Sequence, residues 1–219
     1  MNILLGIQCR SGSTRFPGKC FEELGGVPLL QRIYTTCSLV NLFPKVNEYT
    51  TVVLMPGGDE KLFEFCKANK MEIFQGPEDD VVLRYWQCGK DYDATVRITG
   101  DCPVIPKSMI EDIVKLLMEV DYVTNVNPRT YVDGWDCQGI SKKGLEWINE
   151  HQTKSREHPF LPLDTQPDFL KEFMDAGFTV RRLVNPERII PNPYHPDNKW
   201  SVDTKEDLER LRKIYAKQR

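Results

Sequence analysis

Three cations, Arg10, Arg15 and Lys19, share residues 8–19 with Gly12, Gly18, Ser11, Ser13 and Thr14. Cationic side chains this close repel one another unless an anion joins them. Glycine lets backbone N–H groups approach a ligand, hydroxyls donate to phosphate oxygens, and Arg adds a planar fork where Lys adds a point charge. The stretch follows the apolar run 3–7, which reads as a buried strand. A basic, Gly-bearing loop leaving a first strand is where an open α/β sheet binds phosphates, so these residues predict a nucleotide. The bland alternative is a solvated basic turn. The loop is not a Walker P-loop: five residues separate Gly12 from Gly18, Cys20 follows Lys19 where Ser or Thr is needed, and Pro17 removes an N–H donor. G-x-G-x-x-G is absent, so a dinucleotide fingerprint is not supported either.

A triphosphate in such a loop calls for a divalent cation, and Mg²⁺ takes oxygen ligands, commonly one or two carboxylates plus phosphate oxygens. Asp101 follows the apolar strand pattern 94–98, with Gly100 allowing a turn and Pro103 ending the strand. Asp203 lies between an expected short strand at 200–202 and an expected helix. A purely local role remains open for each, an Asx turn for Asp101 and a helix cap for Asp203.

The elements that must position these residues alternate through the first half. Strand patterns at 3–7, 51–55, 71–74, 94–98 and 121–124 are interleaved with helical patterns starting near Pro28, Asp59, Asp80 and Pro106. Such alternation predicts a mainly parallel sheet with helices on both faces. After residue 125 the pattern breaks into a loop at 127–134, shorter pieces up to 184, and a Pro-rich loop at 185–198 of the kind that covers a site. Thr204 then caps a final helix. The expected layout is one domain over 1–219, with a site-covering or dimerising insertion over about 126–185.

The chain has 219 residues, 40% hydrophobic and 28% charged, with a net charge of −3. That balance offers no field for nucleic acid or a membrane surface. No apolar run approaches a membrane span, and the N-terminus reads as a strand rather than a signal peptide. Seven cysteines, odd in number and without C-x-x-C, argue against a disulfide framework or a zinc site and for a reducing, cytoplasmic location. The histidines at 151, 158 and 195 lack metal-ligand spacing. Cys102, beside Asp101, reads as a packing residue rather than a nucleophile.

The segments IQCRSGSTRFPGK, GPEDDVVLRYWQC, VRITGDCPVI, YVDGWD, REHP and WSVDTKEDLERL occur in this order from near residue 3 to near residue 215. Together they resemble the spore-coat polysaccharide cytidylyltransferase-like family, related to the cytidylyltransferases that activate sialic acid and 3-deoxy-manno-octulosonate. The resemblance implies a Rossmann-like α/β nucleotidyltransferase fold (GT-A-like), a small β-rich insertion and a homodimer. It implies CTP bound by Arg10, Ser13, Arg15 and Lys19, with Gln75, Asp80 and Arg84 near the nucleoside. It further implies Mg²⁺ on Asp101 and Asp203, and a small anionic acceptor near Tyr131, Asp133, Asp136, Arg156, Glu157 and His158. Arg15, Lys19, Asp101 and Asp203 would carry the transfer of CMP to an acidic sugar or phosphorylated acceptor with loss of pyrophosphate, in surface polysaccharide or glycoconjugate synthesis. The chain departs from the family pattern at Cys9-Arg10-Ser11, where Ala-Arg-Met is common. It departs at Cys137-Gln138, where a hydrophobic-acidic pair is more usual, and at Pro159-Phe160-Leu161, where Val-Thr-Pro usually follows R-E-H. The rival readings are a metal-dependent glycosyltransferase using a nucleotide-sugar donor and a non-catalytic nucleotide-binding module.

Overall fold

β1 (Asn2–Gln8) is buried from Ile3 to Ile7, as a strand covered on both faces must be. It runs through the middle of the computed structural model, which describes residues 1–41, 46–185 and 199–216. After it come a small hairpin of β2 (Glu23–Leu24) and β3 (Val27–Pro28), then α1 (Leu29–Ser38), β4 (Glu48–Pro56), α2 (Glu60–Ala68), β5 (Glu72–Gly76), α3 (Val81–Gly89) and β6 (Ala94–Thr99). The chain continues through α4 (Lys107–Leu117), β7 (Tyr122–Thr124), β8 (Cys137–Ser141), α5 (Lys142–His151), α6 (Leu161–Thr165), α7 (Pro167–Asp175), β9 (Val180–Arg182) and α8 (Lys205–Ala216).

Among the described residues the main sheet has seven strands in the order β5-β4-β1-β6-β8-β7-β9. β1 pairs in parallel with β4 and β6, β4 with β5, and β7 with β9. Only β8 runs against its neighbours. Parallel neighbours require crossovers, which α1, α2 and α3 supply. This is the mostly parallel α/β architecture that the alternation predicts.

Alternate residues of β1 face two cores. Ile3, Leu5 and Ile7 join a cluster with Ile33 of α1, Leu62 of α2 and Ile110 of α4. Leu4 joins Tyr85 of α3, Leu145 of α5 and Phe173 of α7 on the opposite face. A third, smaller cluster packs Leu208 and Leu211 of α8 on Phe16, Leu29 and Val202. Each such Leu, Ile or Phe contributes about 1.5–3 kcal/mol when fully buried. The third cluster matters most for function, because it anchors the basic loop through Phe16 and brings residue 202 beside it. Asp59, Asp80 and Thr204 accept N–H groups from Leu62, Leu83 and Asp207 at 3.2, 2.8 and 3.3 Å, capping α2, α3 and α8 as their sequence positions suggest.

One expectation is corrected. The strand expected at 200–202 does not form: Lys199 makes one isolated bridge to Asp133, after which Val202 N–H turns to the Asp101 carbonyl at 2.8 Å. The 126–185 stretch continues the main sheet. β8 enters the main sheet between β6 and β7, β9 extends its edge, and the remaining elements are α5, α6 and α7. The loop after β7 returns the chain directly, which permits only antiparallel pairing at β8. The Pro-rich loop and His195 lie outside the described residues from 186 to 198. No helix among the described residues is long and apolar enough to cross a membrane.

Candidate active site

β1 and β6 end side by side, with Gln8 opposite Thr99, so the loops that follow them leave the sheet together. Gly100 N–H donates to the Gln8 carbonyl at 2.8 Å. A Cβ on Gly100 would meet that oxygen at 2.9 Å and Cys9 Sγ at 3.0 Å, so the approach requires glycine. The basic loop is tied down by Asp59, which accepts from Ser11 N–H and Ser11 Oγ, each at 2.7 Å. Gly18, at φ 74°, then turns the chain into a single 3-10 turn over Lys19–Phe21. Val202 is held from both sides: its N–H donates to the Asp101 carbonyl and its own carbonyl accepts from Lys19 Nζ, each at 2.8 Å. These bonds bring Asp101 and Asp203 together from opposite ends of the chain.

Both carboxylates face one ammonium. Lys19 Nζ lies 3.1 Å from Asp101 and 3.6 Å from Asp203. Arg15 Nη2 reaches Asp203 at 2.8 Å, and Lys199 Nζ reaches its other oxygen at 3.1 Å. Burial pushes the Asp101 carboxyl up, but Lys19, the Thr99 hydroxyl and Arg97 outweigh it and hold the group below its ordinary value. Asp101 is therefore ionised at neutral pH. Two anionic oxygen sets converging on one cationic position fit a hard divalent cation such as Mg²⁺. Among the described residues no group of three His, Cys, Asp or Glu side chains is placed to hold a metal ion. Cys102 accompanies the site without the character of a nucleophile: burial, then Asp101, pushes its thiol well up.

A cavity of about 610 Å³ opens over these groups. Its lining includes Arg10, Ser13, Arg15 and Lys19 of the basic loop, Asp101 and Asp203, and Arg84, Glu157 and His158. Arg84 is buried and folds residues 77–79 around itself, donating to the carbonyls of Pro77 and Glu78 at 3.0 Å each. Gln75 is exposed on β5, away from the cavity wall. Asp80 and Arg156 are also outside the wall: Arg156 Nε donates to Asp80 at 2.8 Å, and the Arg156 carbonyl accepts from Val81 and Val82 N–H, so the pair closes the N-terminus of α3. Tyr131, Asp133 and Asp136 are also outside the wall, and Asp133 sits against the 199–201 segment. Arg129 grips Asp136 at 2.6 and 2.8 Å, the Asp133 carbonyl accepts from Trp200 N–H, and Tyr131 packs near Trp135. Burial, then Asp136, raises the Asp133 carboxyl.

Sequence reasoning left out three groups that the structure puts to use here. Asp59 read as a helix cap and proves also to anchor the loop. Thr99 steadies Asp101 from the end of β6. Arg97 lines the cavity from within β6. Its signal was available: a lone charge inside an otherwise apolar strand has to meet a partner or an opening.

A cytidylyltransferase family model matches residues 5–218, nearly the whole chain. The chain belongs to the cytidylyltransferase family. It is accordingly a nucleotidyltransferase enzyme. It is 24% identical to a spore coat polysaccharide biosynthesis protein of Bacillus subtilis, over 99% of this chain and 87% of that one. It is likewise 24% identical to a 3-deoxy-manno-octulosonate cytidylyltransferase of Pseudomonas syringae pv. tomato, over 95% and 96% of the two chains. Among solved structures, a cytidylyltransferase from Leptospira borgpetersenii superposes with a TM-score of 0.82 at 27% identity, covering 99% of this chain and 87% of that one. In this cytidylyltransferase the cavity is lined by the loop cations, by a pair of acids bridged by one ammonium, and by Arg84, Glu157 and His158.

Proposed function

We propose that this cytidylyltransferase couples CMP from CTP to an acidic sugar or a phosphorylated small molecule, releases pyrophosphate and depends on Mg²⁺, in the synthesis of a surface polysaccharide or glycoconjugate. The observation that carries this reading is the meeting of Asp101 and Asp203 on Lys19, with Arg15 beside them. The names of the relatives support the acceptor class.

Asp101 and Asp203 would hold Mg²⁺, which supplies polarisation of the α-phosphate. Lys19 and Arg15, already turned toward the acids, would neutralise charge growing on the leaving pyrophosphate, and Arg10 would meet its outer oxygens. Ser13 and loop N–H groups would fix the phosphates in place. Arg84 and the backbone it gathers at 77–79 would border the nucleoside, while Glu157 and His158 stand at the rim for the acceptor. A phosphorylated acceptor brings an attacking oxygen that is already ionised and needs no strong base, whereas a sugar hydroxyl would give up its proton as it attacks.

The test is pyrophosphate release from CTP with Mg²⁺ and a panel of acidic sugars that includes 3-deoxy-manno-octulosonate. Asp101→Asn and Asp203→Asn are each expected to lower release at least about 100-fold with the fold intact. Full activity in either variant removes that residue from the reaction. A nucleoside diphosphate as the released product would instead mean a glycosyltransferase.

A further inference from the structure

Arg97 contacts no ligand in the scheme above, yet it lines the cavity on the same strand end as Asp101, whose charge it helps to hold. It is held by two neutral groups. Nε donates to Gln8 Oε1 at 3.0 Å and Nη1 to Gln138 Oε1 at 2.6 Å. Among the described residues no carboxylate lies within 4.0 Å of it, whereas Arg15 and Lys19 are paired with Asp203 and Asp101.

Gln138 is buried, and its amide cannot be reversed, because Arg97 offers donors only and must face the carbonyl oxygen. The amide nitrogen donates to Tyr122 Oη at 3.0 Å and to Asp164, which Arg182 holds at 2.9 Å. A braced relay, Arg182–Asp164–Gln138, thus fixes the fork of Arg97 without neutralising it. A carboxylate at the place of Gln138 would cancel the charge of Arg97; the amide leaves it for a ligand. A half-buried, pre-oriented guanidinium binds an oxyanion through charge-assisted hydrogen bonds.

We propose that Arg97 binds a carboxylate or phosphate group of the acceptor, with Gln8 and Gln138 as positioning residues that hold its fork. The proposal rests on the nucleotidyl-transfer reading of the same cavity. The α-phosphate of CTP has the same chemistry as such a group, and the experiment separates the two. Affinity for a non-hydrolysable CTP analogue is measured by calorimetry. Affinity of the analogue-saturated protein for inorganic phosphate is measured by ³¹P line broadening.

Arg97→Gln is expected to weaken phosphate binding at least about tenfold while the analogue binds within about threefold of wild type; Arg97→Lys is expected to fall between. Gln138→Glu, which supplies the missing anion from inside, is expected to reproduce the phosphate loss; if it lowers the melting midpoint, the Arg97 variants decide alone. A tenfold loss of analogue affinity with phosphate binding unchanged would assign Arg97 to the α-phosphate and overturn the proposal, as would no loss of either. Failure of the wild type to bind the CTP analogue defeats the underlying reading separately. Arg97 is then judged by phosphate binding to the nucleotide-free protein, where an unchanged affinity in Arg97→Gln overturns the proposal.

Discussion

The ammonium of Lys19, 3.1 Å from Asp101 and 3.6 Å from Asp203, gives each carboxylate a partner before any ligand arrives. It solves a problem the two acids create, since like charges at close range in a half-buried cleft would otherwise push one of them to protonate. Arg15 is different in kind. Its side chain is 67% exposed, and an ion pair so open contributes less than about 1 kcal/mol to stability. The proposed role of Arg15 can therefore be tested apart from folding. Arg15→Ala should leave the thermal midpoint within about 2 °C of wild type and weaken CTP at least about tenfold more than CMP, as measured by calorimetry. Equal losses for the two nucleotides would mean that Arg15 does not grip the outer phosphates.

At the scale of elements, two aspartates at helix starts do more than cap. Asp59 joins the N-terminus of α2 to the basic loop through Ser11. Removing an anionic acceptor of three hydrogen bonds should cost about 2–4 kcal/mol. Asp59→Ala should thus lower the urea midpoint and loosen CTP binding together, while Asp59→Asn, which keeps an N-cap oxygen, should lose less of both. Asp207, inside the first turn of α8, is paired with Lys199 at 2.6 Å and Arg210 at 3.0 Å and accepts N–H bonds from Asp203 and Thr204. Burial alone would push its carboxyl up, but Lys199, the Asp203 N–H and Arg210 outweigh it and hold the pKa at about 2. A carboxyl depressed in the folded state stabilises above its unfolded pKa of about 3.9, and that contribution is lost as pH falls toward about 2. Urea unfolding between pH 5 and pH 2 checks this, and Asp207→Asn should flatten the part of the slope that belongs to this residue.

For the whole molecule, the cavity joins groups from residue 8 to residue 203, so a ligand filling it draws together loops that no single element connects. CTP with Mg²⁺ at about 100 times its dissociation constant should add about 2.7 kcal/mol to stability. In a chain of this size that raises the melting midpoint by about 5–11 °C. Asp101→Asn should abolish most of the shift, as should a chelator. A midpoint unmoved by CTP and Mg²⁺ would show that the cavity does not hold the metal-bound nucleotide.

Residues 8–19 stood out in the sequence as a cation-dense loop, because cation density, hydroxyls and glycine turns act over a few residues and need no partner to be recognised. The β–α alternation was equally legible, as were the caps at Asp59, Asp80 and Thr204, since periodicity and capping are short-range. β8 was not: Cys137–Ser141 carries Gln and Gly where a strand signal needs alternation, and its place between β6 and β7 is settled by pairing with strands far along the chain. The same holds for the site. The composition of each acidic segment offered both a local and a metal-binding role. The bonds of Val202 to Asp101 and Lys19, made between residues far apart along the chain, decided that Asp101 and Asp203 share one place. Long-range packing of α8 on Phe16 closes that arrangement, and no local pattern encodes it.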